Sequence, residues 1–544
     1  MEADQRKNSN KQSIITTMKW PKPKSRLEFI HGAGFLFCLS VVLTLVFLSF
    51  FWKIEHDSPL MHYAGFLMNE GHRIPYRDFF TFNMPGTLLF HSYFTYIFGY
   101  GDLAFRVVDL MALFVLSFCS YTFMRRFGKL PAFWSVILFA LLYLSHGQIM
   151  SLQRDYIALV PMALTLLFIP DSNKIETNCW KLFFVGLLFG IAAIIKPHLA
   201  AGVFVFFILF ARQNNSLKKT TALKLIPSAA AMISGILIPI CACFIWLYLN
   251  HALADFFTIF SQYVPKYNQL SGKHESLATW PHIAYLFFKT INFDDYGPLL
   301  LASLFSFIHC MWNKSKVTHF SSAILIYSLS AVYALVPLLA GKFWNYHYIP
   351  FMYFCSLSVS LCTCREFYPE YKYATHRALP GIFLLCAVVF QQPLQSSLHI
   401  IYHQCKYGVS FPKAGRVSNL SRWLKEHLKP GDKVQPLDWT GGAVHAMLNT
   451  RAELATSFYY DFYFYHHLST PYIQKLRNRF IKELKASKPR YIIDIQTEKP
   501  WVTGMDTSTY FADLTTFIKA SYTISYTGRG CFIYERKAKK STAD

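Results

Sequence analysis

The sequence predicts a polytopic α-helical membrane protein of about eleven spans with a small mixed α/β domain outside the bilayer, and three observations carry that prediction. Of its 544 residues 53% are hydrophobic and only 15% charged, so the chain lacks the polar groups needed to clothe one large water-facing globule. Apolar runs recur through the first 390 residues. The excess of 53 Lys+Arg over 30 Asp+Glu, a formal charge of +23, is spent in short clusters between those runs, which is the signature of membrane topology. An ordinary soluble enzyme and a disordered chain are excluded, and nucleic acid is set aside as a partner.

A membrane span needs about 20 mostly apolar residues, because hydrocarbon offers its backbone no hydrogen-bond partners. The runs are 29–52, 105–124, 132–144, 156–169, 182–195, 199–211, 229–249, 298–311, 320–339, 348–361 and 378–390. The first follows a basic leader at 1–28 (Lys19, Lys22, Lys24, Arg26) and lacks a small-residue cleavage site, so a retained anchor is expected. That leader, Arg125 with Arg126 and Lys129, the group Arg212, Lys218, Lys219 and Lys224, the pair Lys314 and Lys316, and finally Arg365, Lys372 and Arg377 fall on alternate loops. Those loops are expected to be cytoplasmic, with the N-terminus inside and the tail outside. The membrane domain is thus assigned to 29–390, with a first outer loop at 53–104.

From 391 to 544 the composition becomes ordinary. Helical stretches are expected at 420–428 and 472–486, and strand-like runs at 433–437, 491–495 and 522–534. Most of the twelve cysteines lie in spans or inner loops as small packing residues. Cys405 and Cys531 fall in the outer domain, where a disulfide between them is left open. No internal repeat, Walker motif, dinucleotide fingerprint or zinc-type spacing occurs, which argues against a nucleotide-driven machine.

The span centres are nearly devoid of Asp, Glu, Lys and Arg, whereas a transport route normally carries such groups near the midplane. Ionisable residues gather instead at the outer ends. In the first outer loop Asp57 follows the first span and precedes Ser58-Pro59, a sequence that suits both a helix start and a catalytic acid at the interface. Further along stand Tyr76-Arg77-Asp78 and Asn83-Met84-Pro85-Gly86. Gln153-Arg154-Asp155, Lys196-Pro197-His198 and Trp344-Asn345-Tyr346-His347-Tyr348 fall on the same side; their plainer readings are a cap, snorkelling cations and an aromatic belt.

As an ordered set, with the acid after the first span, a short helix ending at Gly71, the Pro75-Tyr76-Arg77-Asp78 turn, Pro85-Gly86, a helix through Phe98-Gly99, then Arg106 and Asp109, the membrane portion resembles the GT-C glycosyltransferases. It is most similar to bacterial members of glycosyltransferase family 39, relatives of the dolichyl-phosphate-mannose protein mannosyltransferases and the lipid A aminoarabinose transferase. The resemblance implies a GT-C type fold and an inner-membrane enzyme with its C-terminal domain in the periplasm. It implies transfer of a sugar from a polyprenyl-phosphate donor to a lipid, glycan or protein. Asp57 and Asp155 would be catalytic, and Arg154, Lys196, His347 and Tyr346 would bind the lipid phosphate. Asp78, with Arg77 and Tyr76, stands in reserve. A divalent cation held by Asp57 and Asp155 is left open. Asp57-Ser58 departs from the Asp-Glu pair of the mannosyltransferases, which bears on the choice of base. The rival classes are a transporter or lipid flippase, which calls for polar residues along a midplane route, and an assembly scaffold, whose product would not depend on Asp57.

Overall fold

The eleven apolar runs fold as helices over most of their lengths in the computed structural model, which describes residues 26–169, 179–213, 222–270, 279–292, 296–340, 344–367, 379–497 and 506–538. The leader up to residue 25 and Lys218, Lys219, Lys372 and Arg377 lie outside these. In chain order come α1 (Arg26–Ser49), α2 (Ser58–Asn69), α3 (Pro85–Phe98), α4 (Asp102–Met124), α5 (Lys129–Leu144), α6 (Arg154–Leu164), α7 (Cys179–Ile195), α8 (Gly202–Gln213) and α9 (Ala222–Leu249). Then follow α10 (Leu253–Gln262), α11 (Val264–Asn268), α12 (Thr279–Ile291), α13 (Gly297–Trp312), α14 (Phe320–Ala340), α15 (Ile349–Ser360), α16 (Leu379–Gln391) and α17 (Pro393–Tyr407). Among the described residues five segments are long and apolar enough to cross a membrane: Gly32–Ser49, Asp102–Phe127, Ile226–Leu249, Phe320–Pro337 and a stretch of Leu384–His427. Four further apolar helices run 10–17 residues.

Proline opens several of these helices, including α2 (Pro59), α3 (Pro85) and α17 (Pro393), where its missing N–H costs nothing and its fixed φ suits the first turn. Helices α7 and α9 pack through small residues. A Cβ on Gly186 would collide with the Met232 carbonyl, and one on Gly235 with that of Phe183, so glycine is what lets these backbones touch. Large apolar side chains such as Leu43 and Phe47 of α1 and Ile233 and Ile245 of α9 stay exposed, a surface suited to lipid rather than water. At one end of the bundle Arg126 donates to Ser322 Oγ and the Ile169 carbonyl, and Asn313 donates to the Phe367 carbonyl. This end carries Arg125, Arg126, Lys129, Lys314, Lys316 and Arg365.

The opposite end carries the C-terminal α/β unit: α18 (Arg416–His427), β1 (Lys433–Leu437), α19 (Ala443–Thr450), β2 (Glu453–Leu454), α20 (Pro471–Ser487), β3 (Tyr491–Ile495), α21 (Ala512–Ser521), β4 (Tyr522–Gly528) and β5 (Cys531–Arg536). Its sheet has the order β2-β1-β3-β5-β4; β1 pairs parallel with β2 and β3, and β5 antiparallel with β3 and β4. Strand β3 is buried at four of its five positions, as a central strand covered on both faces must be. Two expectations change here. The run at 522–534 is a hairpin rather than one strand, because Gly530 (φ 69°) turns the chain back. Cys405 is exposed on α17 while Cys531 is buried in β5, and both thiols are free.

The first loop, 53–104, is the platform on which this unit sits. Arg73 donates to the Thr456 and Leu454 carbonyls, Tyr63 Oη to the Ala452 carbonyl, and Phe80 N to the Ser457 carbonyl. The aromatic run at 458–465 supplies the apolar half of the joint: Phe458, Phe462, Tyr463 and Phe464 are buried, and Phe80 lies 4.5 Å from Tyr463 and 5.7 Å from Phe458, ring to ring. Packing, not sugar stacking, is their main work.

Candidate functional site

Three turns at the end nearest the C-terminal unit deliver the site. Asp155 occupies the first turn of α6, Lys196 the turn after α7, and His347 the short 3₁₀ segment Asn345–Tyr348 that leads into α15. Widely separated in sequence, they meet in one buried knot. Lys196 Nζ lies 2.7 Å from both Asp155 oxygens and 2.7 Å from His347 Nδ1, while His347 Nδ1 is 3.2 Å from Asp155 Oδ2. An ammonium has only donors, so its approach makes Nδ1 an acceptor and leaves the imidazole proton on Nε2. Burial, reinforced by the Lys196 charge, lowers the His347 pKa to about 4, which keeps the ring neutral at pH 7. Burial also lowers Lys196 to about 8, against the pull of Asp155.

The Lys196 turn is held by close contact with the first loop. A Cβ on Gly86 would lie 2.7 Å from the Ile194 carbonyl oxygen, and Thr87 Oγ1 donates to the Ile195 carbonyl at 3.2 Å. Gly86 therefore permits α3 to press directly on the end of α7.

Arg154 links this knot to Asp57. Its Nη1 donates to Asn83 Oδ1 at 2.8 Å and its Nη2 stands 3.7 Å from Asp57 Oδ2. The Arg154 Nε–H is buried without a hydrogen-bond partner, as is Nε2 of neighbouring His198. Asp57 occupies the N-cap position of α2, yet its side chain makes no capping bond and is about a quarter exposed. The capping reading is therefore not the geometry adopted. His56 beside it has φ 60° and turns its ring toward Tyr346 (5.6 Å) and Trp344 (6.0 Å).

A second buried network fixes the turn before α6. Arg106 and Asp109 of α4 form a fully buried ion pair; Arg106 also donates to Ser151 Oγ, and Asp109 accepts from Tyr143 Oη at 2.5 Å and Leu152 N at 2.9 Å. Leu152 is held at φ 45°, an unfavourable backbone for a branched residue that these bonds stabilise. Arg154 and Asp155 take their directions from that turn.

Of the residues expected at the site, Asp57, Arg154, Asp155, Lys196, Tyr346 and His347 come together. Asp155 meets Lys196 through both oxygens, so its geometry is that of a counter-ion. The reserve group does not join them. Arg77 forks onto Asp78, which also accepts from Ile74 N, and Tyr76 Oη donates to the Asn83 carbonyl, placing Tyr76 behind Asn83. At the cation site left open between Asp57 and Asp155, Lys196 occupies the Asp155 carboxylate, and among the described residues no group of three or more His, Cys, Asp or Glu is placed to hold a metal. Sequence reasoning missed Asn83 as the anchor of Arg154 and Asp109 as the anchor of Leu152. Both stand in motifs it quoted, Asn83 just before α3 and Asp109 two turns inside α4, but their partners Arg154 and Leu152 lie 71 and 43 positions away.

Comparison with known proteins adds two findings. The family model described as dolichyl-phosphate-mannose-protein mannosyltransferase matches residues 84–246, a stretch containing Arg154, Asp155 and Lys196. Crystal structures of ArnT from Cupriavidus metallidurans share the fold: the apo state with a TM-score of 0.57 and the state bound to undecaprenyl phosphate with 0.55. Each is 11% identical to this chain and covers 93% of it and 98% of the ArnT chain. No curated protein matches. The resemblance to the GT-C group is thus found in a stretch of sequence and in the fold of nearly the whole chain.

Proposed function

We propose that this chain is a GT-C glycosyltransferase that moves a sugar from a polyprenyl-phosphate-linked donor to an acceptor at the periplasmic face of a bacterial inner membrane. The observation that carries this reading is the cluster of Arg154, Lys196 and His347, with an unsatisfied Arg154 Nε–H, beside the uncapped carboxylate of Asp57. Donors fixed in place before the reaction are what a departing phosphate needs, since its charge grows as the bond to the sugar breaks. The mannosyltransferase family match and the ArnT fold, one of whose structures holds undecaprenyl phosphate, support the same donor class.

In this reading an acceptor oxygen or nitrogen attacks the anomeric carbon and forms the new bond while the anomeric carbon–phosphate oxygen bond breaks. The acceptor proton passes to Asp57, and the electron pair leaves with the polyprenyl phosphate. Arg154 meets the phosphate with its free Nε–H, Lys196 adds a compact positive charge, and His347 donates from Nε2. Asp155 is a positioning residue that holds Lys196 and His347, and no step is routed through a metal. A flippase is less well served, because Arg154, Lys196 and His347 stand at helix ends near the C-terminal unit.

Mass spectrometry of envelope glycolipids and glycoproteins tests the reading. Cells carrying Asp57→Ala are expected to lose one glycan modification present with the wild-type chain, as removing a general base costs about 10²–10⁴ in rate. Identical glycan profiles at equal protein levels would overturn it.

A further inference from the structure

Helices α2 and α3 of the first outer loop each lead into one half of the site. Asp57 stands at the N-cap of α2, and the first turn of α3 presses on the Lys196 turn through Gly86 and Thr87. The register between the two helices therefore sets where the carboxylate stands relative to the cationic knot. Their contacts run from His62 with His91, through Gly65 against the His91 carbonyl, to Asn69 with Ser92 and Thr95, so the helices lie side by side in the same direction. At the far end Asn69 Nδ2 donates to the Ser92 carbonyl at 2.8 Å and to Thr95 Oγ1 at 2.9 Å, and Asn69 Oδ1 accepts from Ser92 Oγ at 2.6 Å.

The end nearest the site is built differently. His62 Nδ1 lies 3.3 Å from His91 Nδ1, and both imidazoles are completely buried, with the Phe94 ring 4.7 Å and the Phe105 ring 5.3 Å from that of His62. A contact between two Nδ1 atoms has room for one proton, so one ring donates and the other accepts. The donor ring then has a bare Nε2 and the acceptor ring an Nε2–H, and neither Nε2 has a hydrogen-bond partner. The charged and titratable groups facing the pair are Arg154 of α6, toward His91, and His445 of α19 and Tyr100, toward His62; His445 in turn faces Asp102 and Lys53. No carboxylate among the described residues faces the pair itself. A first proton would bury a charge without a counter-ion, and a second would set two N–H groups against each other and break the bond. Burial, and then His91 and His445, hold His62 well below the ordinary imidazole range, with only the nearby Gly99 backbone favouring its charged form. Burial, and then the Arg154 charge, push His91 down to about 3. Helices that part expose both rings to water, where each takes a proton below about pH 6.5. The contact therefore gives its full stability above about pH 6.5 and loses it as the pH falls toward the low values of the packed state.

We infer that His62 and His91 form an acid-sensitive clasp between α2 and α3: with both rings neutral it holds Asp57 in register with the Lys196 turn, and acid lets the two halves of the site part. They are positioning residues, and the inference rests on the transferase reading only for what the site does.

The test is hydrogen exchange read by mass spectrometry on the full-length protein in nanodiscs of phosphatidylethanolamine and phosphatidylglycerol, compared at about pH 7 and about pH 5.5 after correction for the intrinsic pH dependence of amide exchange. Protection of residues 58–69 and 85–98 is expected to fall about 50–100-fold, since each of the two imidazoles contributes roughly tenfold per pH unit below about 6.5. Residues 53–57 and 194–199 are expected to loosen with them. In the double variant His62→Gln, His91→Gln the fall is expected to shrink to about threefold or less. Exchange at the imidazole C2 carbons of the wild-type chain decides the matter should that variant not fold: neither His62 nor His91 is expected to titrate between about pH 5.5 and 8. Titration of either ring near pH 6.5, protection of α2 and α3 that ignores pH, an undiminished fall in the double variant, or an equal fall in α13 to α15 would each overturn the clasp. Undecaprenyl phosphate binding at pH 7 reads the transferase proposal separately: its absence counts against the donor site, while the exchange data still decide the clasp.

Discussion

Lys196 sits between an acid and an imidazole, and its charge state sets what the proposed phosphate site can hold. Burial brings its pKa down to about 8, so the ammonium is lost at a lower pH than for an exposed lysine. The sign follows: affinity for undecaprenyl phosphate is expected to be steady near pH 7 and to fall roughly tenfold per pH unit above about 8. Lys196→Met is expected to bind weakly and without that pH step, as titration of binding by microscale thermophoresis would show. A wild-type profile without the step would separate Lys196 from the phosphate. At this scale the sequence names the groups that the fold gathers but does not divide labour among them. Asp57 and Asp155 both read as catalytic acids, since nothing local announces that a lysine 41 positions later closes on Asp155 with both oxygens engaged. Asp78 was distinguishable, because Arg77 beside it supplies an obvious partner.

Helix α4 illustrates how an element places a site it does not enter. Arg106 and Asp109 sit one turn apart on its buried face and hold the Ser151-Leu152 turn, from which Arg154 and Asp155 project. Asp109→Ala leaves Arg106 buried without its counter-ion, and a loss of about 3–5 kcal/mol is expected, read as a lowered unfolding midpoint in detergent. Asp109→Asn keeps the acceptor for Leu152 N and is expected to cost less. Equal midpoints for wild type and Asp109→Ala would show that the pair does not hold the turn. Helices were the most legible elements, because a run of apolar residues bounded by proline or glycine has few alternatives. Strand β2, at two residues, has no periodicity to read, and the 522–534 hairpin was merged because its turn, Arg529-Gly530, is so short.

Across the whole molecule, the C-terminal unit and the first loop act as one piece over the site. Arg73 bonds two carbonyls of the segment around β2, and the buried aromatics of 458–465 fill the joint. Removing the Arg73 guanidinium strips partners from those carbonyls at a cost of about 1–3 kcal/mol. Arg73→Ala is therefore expected to raise hydrogen exchange in residues 452–458 while leaving the bundle helices protected; unchanged exchange would show that the unit docks without this bond. The general architecture was visible in composition and charge placement, since lipid and water demand different surfaces. The joint was not, because an aromatic run reads equally as membrane belt, sugar platform or packing.

The central claim is that Arg154, Lys196 and His347 form a phosphate grip beside Asp57. Undecaprenyl phosphate binding to the full-length protein, compared among wild type, Arg154→Ala and Asp57→Asn, tests it most directly. Arg154→Ala is expected to weaken binding by about 10–100-fold, the loss of a charge-assisted bond worth about 1.5–3 kcal/mol, while Asp57→Asn binds as wild type does. Equal affinity for wild type and Arg154→Ala would contradict the account.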